Sequence, residues 1–309
     1  MIKKAVIPIG GLGTRFLPAT KGMAKEMFPV VEKPILLLIL EECANSGIEE
    51  VFLVLSPNKM FVKKFFEDDA SLEARLAASG KLAYLDSFKN IKNKLKISFG
   101  VQEVARGSGD ALFPAEKWAK GEPFAVLFGD DLNYTPNGMR PVIGQLIDTY
   151  NQTGKLVIGC KYVDANEIHK YSSCILGKQL SENVFETSGI IEKPSKEEAP
   201  SLLSGLARYV LPGNIFAVLR RTPIGRNGEL NLTDAMDIVA REEGAVACNF
   251  QSIRYDTGDK LGYVQATVEY ALRHPEIGKD VLAYLVGLAK KGYNVNTVPK
   301  SGNEDNSFK

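Results

Sequence analysis

Apolar residues in the first half of the chain alternate between short continuous runs and stretches with helical spacing. The continuous runs predict buried strands at Lys4–Ile9, Val51–Leu55, Ile97–Val101 and Phe124–Phe128. Helical spacing follows or separates these runs, at Ile35–Asn45, Lys59–Phe66, Leu72–Ala78, Asp110–Lys120 and Arg140–Tyr150. This order of elements predicts an α/β fold with a mostly parallel central sheet covered by helices on both faces.

The second half of the chain is richer in strand-like runs and ends in two helical stretches. The strand-like runs are Leu156–Tyr162, Val184–Glu192, Ala207–Leu211 and Ala245–Phe250, and the helical stretches are Lys260–Arg273 and Gly278–Lys290. We expect an α/β domain over 1–258 that includes a β-rich half, C-terminal helices over 259–293 and a flexible polar tail over 294–309.

The segment after the first predicted strand has the character of a phosphate-binding loop. Gly11 and Gly13 allow the backbone to approach a phosphate chain, and Arg15 and Lys25 can neutralise its charge. No Gly-Lys-Ser/Thr follows, so this is not a Walker A loop, and Phe16 replaces the third glycine of a dinucleotide-binding fingerprint. An ordinary strand-to-helix turn remains the alternative for this segment taken alone.

Composition excludes several classes of function. The chain has 309 residues, is 45% hydrophobic and 24% charged, and carries a net charge of +1, so no global field would attract nucleic acid. The longest apolar run, Ile35–Leu40, is too short to cross a bilayer, and no secretory signal is recognisable. The four cysteines are scattered and the two histidines lie in no metal-binding pattern. We therefore expect a cytoplasmic protein with reduced thiols and no membrane partner.

Carboxylates follow two of the predicted strands. Asp130 and Asp131 come directly after the strand that ends at Phe128, and Asp256 lies in a second acidic turn far downstream. Ligands of parallel α/β sheets bind beyond the carboxyl ends of the strands, and Mg²⁺ prefers a few hard oxygens together with water and phosphate. Either segment could also be a simple turn. Together with the cationic glycine loop they favour a metal–phosphate site.

Two further segments carry polar groups suited to a sugar phosphate and a base. Glu192 can accept hydrogen bonds from sugar hydroxyls and Lys193 can bind a phosphate, although an exposed ion pair is the simpler interpretation. Gln102 can read the edge of a base, and Gly107 would allow close approach to it. The same stretch is also a plausible helix start with Asp110 as N-cap, and the two interpretations are compatible.

Taken in order, these segments resemble one family from Lys4 to about Leu288. The chain is similar to the bacterial UTP–glucose-1-phosphate uridylyltransferases, or UDP-glucose pyrophosphorylases, which belong to the sugar-nucleotide pyrophosphorylases. The resemblance is carried by long ordered matches at Gly11–Lys21, Lys25–Met27, Phe124–Asp131, Ile191–Pro194, Gly228–Ala235 and Arg254–Tyr263. It implies a Rossmann-like, mixed but mostly parallel sheet of the nucleotidyltransferase (GT-A-like) type.

The resemblance also implies a reaction and a set of roles. The reaction is the conversion of UTP and glucose 1-phosphate to UDP-glucose and pyrophosphate, with Mg²⁺ as cofactor. Roles are carried over for the UTP phosphates (Gly11, Gly13, Arg15, Lys25), the uridine (Glu26, Gln102, Gly107), the metal (Asp130, Asp256), the sugar or its phosphate (Glu192, Lys193) and substrate contacts (Asp131, Ser172). The terminal helices resemble oligomerisation elements, which implies a homodimer or homotetramer.

Several positions depart from the family pattern. Ser172 stands where the family normally has glycine against the sugar, Asp110 replaces a residue that is usually histidine, and Ser108 replaces one that is usually leucine. Ile9 and Gly10 replace two alanines. None of these changes removes a proposed metal ligand or phosphate-binding cation. An active uridylyltransferase is the first interpretation, and a relative with shifted sugar or base preference and a noncatalytic sugar-nucleotide-binding regulator remain as alternatives.

Overall fold

The computed structural model describes residues 1–136 and 138–291, so the tail expected over 294–309 lies outside the described residues. The strands are β1 (Lys4–Ile9), β2 (Pro29–Val30), β3 (Lys33–Pro34), β4 (Glu50–Leu55), β5 (Lys96–Val101), β6 (Phe124–Leu127), β7 (Asp131–Tyr134), β8 (Leu156–Tyr162), β9 (Ser172–Ser181), β10 (Val184–Glu192), β11 (Leu203–Leu211), β12 (Ala245–Asn249) and β13 (Ile253–Asp256). The α-helices are α1 (Ile35–Asn45), α2 (Ala70–Ala78), α3 (Asp86–Lys94), α4 (Glu116–Ala119), α5 (Val142–Thr153), α6 (Ile215–Arg221), α7 (Leu232–Glu242), α8 (Lys260–Arg273) and α9 (Gly278–Lys290).

The central sheet has nine strands in the order β5-β4-β1-β6-β11-β8-β12-β10-β9. Neighbours β5, β4, β1 and β6 are parallel, whereas β11 runs antiparallel to both β6 and β8. Strand β12 is parallel to β8, and β10 is antiparallel to both β12 and β9. Seven of the nine strands therefore point the same way, which confirms the predicted mixed, mostly parallel sheet.

Both faces of the sheet are covered, as expected for its parallel half. All six residues of β1 are buried. Ile7 and Ile9 belong to the core on the face that also buries α1 and α5, while Val6 belongs to the opposite core, which includes α6 and α7. The continuous apolar run that predicted this strand thus reflects burial on two sides.

Some predicted helices take a different form. Pro57–Phe66 forms consecutive 3₁₀ turns, in which the buried residues Lys59 and Val62 are three apart, the spacing that this geometry places on one face. The predicted helix over Asp110–Lys120 divides into 3₁₀ turns and the short α4, because Pro114 cannot donate to an α-helical ladder.

A small second sheet joins distant parts of the chain. Strands β7 and β13 are antiparallel, and Asp131 pairs with Asp256 in their register. This pairing places the acidic turn at the end of β13 beside the acidic segment that follows β6. None of the described helices has the length and apolar character needed to cross a bilayer.

Candidate active site

The glycine loop leaves β1 through a left-handed turn. Gly13 has φ of 65°, and a Cβ there would lie 2.8 Å from Cγ2 of Thr20. The Thr20 hydroxyl donates a hydrogen bond of 2.9 Å to the Gly13 carbonyl, which closes the loop on itself. Glycine at position 13 is therefore required both by backbone conformation and by space.

Phe16, which occupies the third glycine position of a dinucleotide fingerprint, anchors this loop. Its ring meets the rings of Phe28 and Tyr263 edge to face, with centroids 5.2 and 5.8 Å away. The Tyr263 hydroxyl also donates to the Pro29 carbonyl at 2.8 Å. Helix α8 is thereby packed against the phosphate-loop region, which explains why an aromatic residue stands at this position.

Lys25 lies between the glycine loop and the acidic segment. Its Nζ is 2.5 Å from Oδ2 of Asp130 and 3.6 Å from the point where a Cβ at Gly11 would lie. Burial lowers the pKa of Lys25, but the carboxylates of Asp130, Glu26 and Asp256 outweigh it, so the pKa lies above its ordinary value. Burial acts in the opposite direction on Asp130 and by itself would raise its pKa. The neighbouring Lys25 ammonium outweighs burial and holds the pKa of Asp130 below its usual range.

Asp130 and Asp256 converge on Gly258. A Cβ at Gly258 would lie 2.8 Å from Oδ2 of Asp130 and 3.1 Å from Oδ1 of Asp256. The Gly258 amide donates to Asp256 at 3.1 Å, and its carbonyl accepts a hydrogen bond of 3.2 Å from Nη1 of Arg15. The two predicted metal ligands and the predicted phosphate-binding arginine therefore meet at one glycine.

The donor set suits a divalent cation. Among the described residues no group of three or more acidic, histidine or cysteine side chains could hold a metal, so the pair Asp130 and Asp256 would leave positions for water and phosphate, as Mg²⁺ prefers. The Thr257 hydroxyl, between Asp256 and Gly258 in sequence, is buried and lacks a hydrogen-bond partner among the described residues. Such an orphaned polar atom is expected beside a site that a ligand or water completes.

The structure does not bring the Asp131 carboxylate to this site. Asp131 is 2% exposed and forms a 2.5 Å ion pair with Arg254. Burial raises the pKa of Asp131, and the guanidinium groups of Arg254 and Arg208 only partly oppose this. Asp131 is the first residue of β7 and is held inward by Arg254, whereas Asp130 lies in the turn before this strand and contacts Lys25. The Asp131 carboxylate is thus engaged inside the protein by Arg254, and its predicted contact with substrate stays a prediction.

Two arginines that the sequence analysis left without a role hold the acidic segment. Arg208 is fully buried, bonds to Glu42 and donates at 2.7 Å to the Asp131 carbonyl. Arg254 reaches Oδ2 of Asp256 at 3.8 Å in addition to Asp131. One signal for Arg254 was available, since residues two apart on a strand share a face, which pairs Arg254 with Asp256. No comparable local pattern marks Arg208.

Glu26 is buried beneath the acidic segment. It is 2% exposed, its carboxylate forms a 2.9 Å ion pair with Lys59, and a Cβ at Gly129 would lie 2.7 Å from its Cγ. Its charge is thus balanced inside the protein by Lys59, which the sequence analysis placed only on a helix. The contact between Glu26 and uridine stays a prediction.

The loop after β5 packs against the start of α7 and is hydrogen-bonded to it. Gly107 has φ of 121°, and a Cβ there would lie 2.4 Å from the Leu230 carbonyl oxygen. The Gly109 amide donates to that carbonyl at 2.8 Å, and the Ser108 hydroxyl accepts from the Leu232 amide at 3.0 Å. Ser108 therefore stabilises the first turn of α7 by satisfying one of its backbone amides.

Asp110 is not the expected N-cap, because Gly109 occupies that position. The Asp110 carboxylate instead accepts a 2.8 Å hydrogen bond from Nε2 of Gln102.

The predicted sugar-phosphate segment lies next to the acidic cluster. The Lys193 amide donates to the Tyr171 carbonyl at 3.0 Å, and the Arg254 guanidinium lies 5.3 Å from the centre of the Tyr171 ring. Lys193 has φ of 44°, an unusual conformation for a residue with a side chain, and its Nζ is 3.6 Å from Glu192. The simple ion pair is therefore present, and a substrate role for both residues stays a prediction.

Ser172 points into the protein. It is 4% exposed, and its Oγ lies 3.4 Å from the Gly205 carbonyl oxygen. A Cβ at Gly205 would come within 2.8 Å of this hydroxyl, so the serine occupies space that glycine leaves free on β11. Its predicted contact with a sugar remains untested.

The chain is similar in sequence and in fold to known nucleotidyl transferases. The sequence profile of the nucleotidyl transferase family matches residues 4–272. A UTP–glucose-1-phosphate uridylyltransferase of Bacillus subtilis, YngB, is 40% identical over 291 residues, which are 94% of this chain and 96% of that protein. A UTP-bound UDP-glucose pyrophosphorylase of Acinetobacter baumannii superposes with a TM-score of 0.85 at 33% identity, covering 93% of this chain and all of that one. A UDP-glucose pyrophosphorylase in complex with UDP-glucose superposes with a TM-score of 0.81 at 34% identity, covering 89% and 100%.

Proposed function

We propose that this chain, which belongs to the nucleotidyl transferase family and within it to the UTP–glucose-1-phosphate uridylyltransferases, converts UTP and glucose 1-phosphate to UDP-glucose and pyrophosphate. The structural observation that best supports this activity is the convergence of Asp130 and Asp256 at Gly258, with Lys25 between them and the glycine loop. That arrangement provides adjacent places for a divalent cation and a triphosphate.

The reaction needs little from the protein besides position and charge. A phosphate oxygen of glucose 1-phosphate is already ionised near neutral pH, so it can attack the α-phosphorus of UTP without a general base. A new oxygen–phosphorus bond forms, the bond between the α-phosphorus and the bridging oxygen breaks, and pyrophosphate leaves with that oxygen. Catalysis then depends on alignment and on neutralising charge, as is general for phosphoryl transfer.

The residues of this chain divide these tasks. In the proposal, the backbone of Gly11 and Gly13 approaches the UTP phosphates, while Arg15 and Lys25 supply positive charge. The raised pKa of Lys25 keeps its ammonium protonated throughout the physiological pH range. Asp130 and Asp256 would hold Mg²⁺, which when bound would neutralise charge on the α-phosphate and on the departing pyrophosphate.

The remaining contacts complete the two substrates. Gln102, with the backbone of Gly107 and a contribution from Glu26, would bind the uracil and ribose. Glu192 would accept hydrogen bonds from glucose hydroxyls, Lys193 would bind the sugar phosphate, and the Ser172 segment would lie near the sugar. Because β9 and β10 pair Ser172 with Glu192, these groups are held at one end of the sheet.

Self-association through the C-terminal helices is part of this proposal. Leu282, Tyr284 and Val286 on α9 and Leu261 and Val264 on α8 are exposed by 45 to 66%, and large exposed apolar patches mark interaction surfaces. A homodimer or homotetramer would cover them. Light scattering coupled to size-exclusion chromatography measures the mass directly, and a monomer at micromolar concentration would contradict this part of the proposal.

The test of the activity is Mg²⁺-dependent release of pyrophosphate from UTP and glucose 1-phosphate, with dTTP and galactose 1-phosphate as competing substrates. Strong release with the first pair only is the expected result. If another pair reacts faster, the chain is a relative with shifted base or sugar preference. If no pair reacts although the protein binds UDP-glucose, it is a noncatalytic sugar-nucleotide-binding protein.

A further inference from the structure

The carboxamide of Gln102 is held in one orientation by Asp110. Its Nε2 lies 2.8 Å from Oδ2 of Asp110 and 3.4 Å from the carbonyl oxygen of Gly107. The other carboxylate oxygen of Asp110 is 3.3 Å from Nε of Arg106. A carboxylate and a carbonyl can only accept hydrogen bonds, so both require the amide nitrogen, and not the amide oxygen, on their side.

The amide oxygen is consequently turned the other way, toward the glycine loop. A Cβ at Gly10 would lie 3.0 Å from Oε1 of Gln102. No described residue donates a hydrogen bond to this oxygen. The oxygen is also not fully buried, so a ligand or water can reach it. Gln102 thus presents an open acceptor beside the predicted nucleotide-binding loop, while both of its donors face the protein.

The surroundings oppose a reversal of this amide. Gly107 and Gly109 are fastened to Leu230 by close backbone approach and a 2.8 Å hydrogen bond, and Gln102 is itself bonded through its backbone to Leu55 at 2.8 Å. The acceptors that fix Nε2 therefore stay in place. A reversed amide would set its oxygen against two acceptors, which costs more than the loss of one hydrogen bond.

We propose that Asp110 is a positioning residue for base specificity: it keeps the Gln102 oxygen facing the nucleotide, so that the site accepts uracil and rejects cytosine. Uracil offers an N–H donor at N3, whereas cytosine has an unprotonated acceptor at N3 that would face Oε1. Thymine carries the same N3–H, so Asp110 does not separate UTP from dTTP. The inference rests on the proposed function, in which Gln102 reads the base.

The test compares kcat/KM for UTP and CTP in Asp110→Leu and Asp110→Asn. Leucine removes the acceptor, and we expect the UTP:CTP ratio to fall about tenfold, the value of one hydrogen bond. Asparagine retains an acceptor oxygen and should stay near the wild-type ratio. Glu103→Gln is the matched control, because Glu103 is an exposed carboxylate next to Gln102 with no hydrogen bond among the described residues.

A second comparison separates positioning from general stability. In a Gln102→Ala background, Asp110→Leu should leave the UTP:CTP ratio unchanged, because the group through which Asp110 acts is gone. A further fall in that background would overturn the proposal, as would an unchanged ratio in Asp110→Leu alone. If Asp110→Leu does not fold, as judged by thermal melting, Asp110→Ala replaces it.

Failure of the Asp110 inference can be distinguished from failure of the proposed uridylyltransferase activity. If the wild-type protein releases no pyrophosphate from UTP and glucose 1-phosphate, the proposed function is wrong. Calorimetric binding of UDP and CDP to wild type and Asp110→Leu then decides the inference by itself. A preference for UDP that shrinks in the variant supports it, and equal ratios in the two proteins overturn it.

Discussion

The carboxylates of Asp130 and Asp256 approach the same point beside Gly258, although one follows β6 and the other ends β13. Their meeting depends on the pairing of β7 with β13, in which Asp131 lies opposite Asp256. Asp130 also forms the ion pair with Lys25.

Replacing either carboxylate should abolish most of the activity without unfolding the protein. Asp130→Asn and Asp256→Asn preserve shape but remove a metal-binding charge, and we expect kcat to fall by about 100-fold or more. Pyrophosphate release and thermal melting measure the two effects. Asp148→Asn on α5, which removes an exposed ion pair with Arg140, is the control and should be close to wild type. Near-normal turnover in both site variants would rule out this metal assignment.

Asp130 should make the stability of the protein depend on pH in the acid range. Its pKa is below the ordinary value because of Lys25, so the folded state favours the ionised form. The resulting stabilisation is present above the ordinary pKa of 3.8 and is lost as pH falls through the folded-state pKa. The difference in unfolding free energy between wild type and Asp130→Asn should therefore shrink as the pH falls below about 4, as chemical denaturation would show. A constant difference would mean that Lys25 does not stabilise the charged form.

Gly107→Ala should destabilise the loop after β5. A Cβ at this position would collide with the Leu230 carbonyl oxygen at 2.4 Å, and φ of 121° is unfavourable for alanine. We expect a loss of about 1–3 kcal/mol in unfolding free energy and a raised KM for UTP. Gly287→Ala in α9 is the control, because nothing lies within 4 Å and alanine favours helix. Equal melting temperatures for the two variants would contradict this account.

Arg254→Gln should weaken metal binding more than it weakens folding. Arg254 contacts both Asp131 and Asp256. Its loss would leave the Asp256 carboxylate, a proposed metal ligand, without the group that orients it, and would leave Asp131 without its ion-pair partner Arg254. Groups that orient metal ligands typically contribute 10- to 100-fold in affinity. We expect the Mg²⁺ concentration for half-maximal activity to rise by about tenfold, measured by titration at saturating substrates. Unchanged Mg²⁺ dependence with reduced stability would assign Arg254 a purely structural role.

Arg208→Leu should be among the most destabilising single changes. It would leave the carboxylate of Glu42, 8% exposed, without its buried partner and would release the Asp131 carbonyl. Breaking a buried ion pair in this way costs about 3–5 kcal/mol. The double variant Glu42→Leu/Arg208→Leu should recover part of that loss, because no unpaired charge remains. Denaturant unfolding of the three variants tests both statements, and a double variant less stable than Arg208→Leu would contradict them.

Sequence patterns were most informative where one local signal coincided with burial. The run Lys4–Ile9 predicted β1 because a strand buried on both faces is continuously apolar, and Ile35–Asn45 agrees with α1. Helix α7 was missed although Leu232, Ala235 and Val239 have helical spacing. Helix α3 offered a weaker signal, since Ile91 is its only buried residue. Amphipathic segments in a motif-rich region and polar surface helices are therefore the elements most easily overlooked.

The amino-acid sequence by itself determined the parallel half of the sheet, the glycine loop, the acidic turns and the family, because these depend on short-range spacing and on ordered motifs. Only the tertiary structure decided which polar groups face the site. It turned Asp131 toward Arg254 while Asp130 faces Lys25, and it gave Asp110 to Gln102 rather than to a helix cap. The physical reason is that orientation follows from strand pairing and buried charge between distant segments, and neither has a local signature in the sequence.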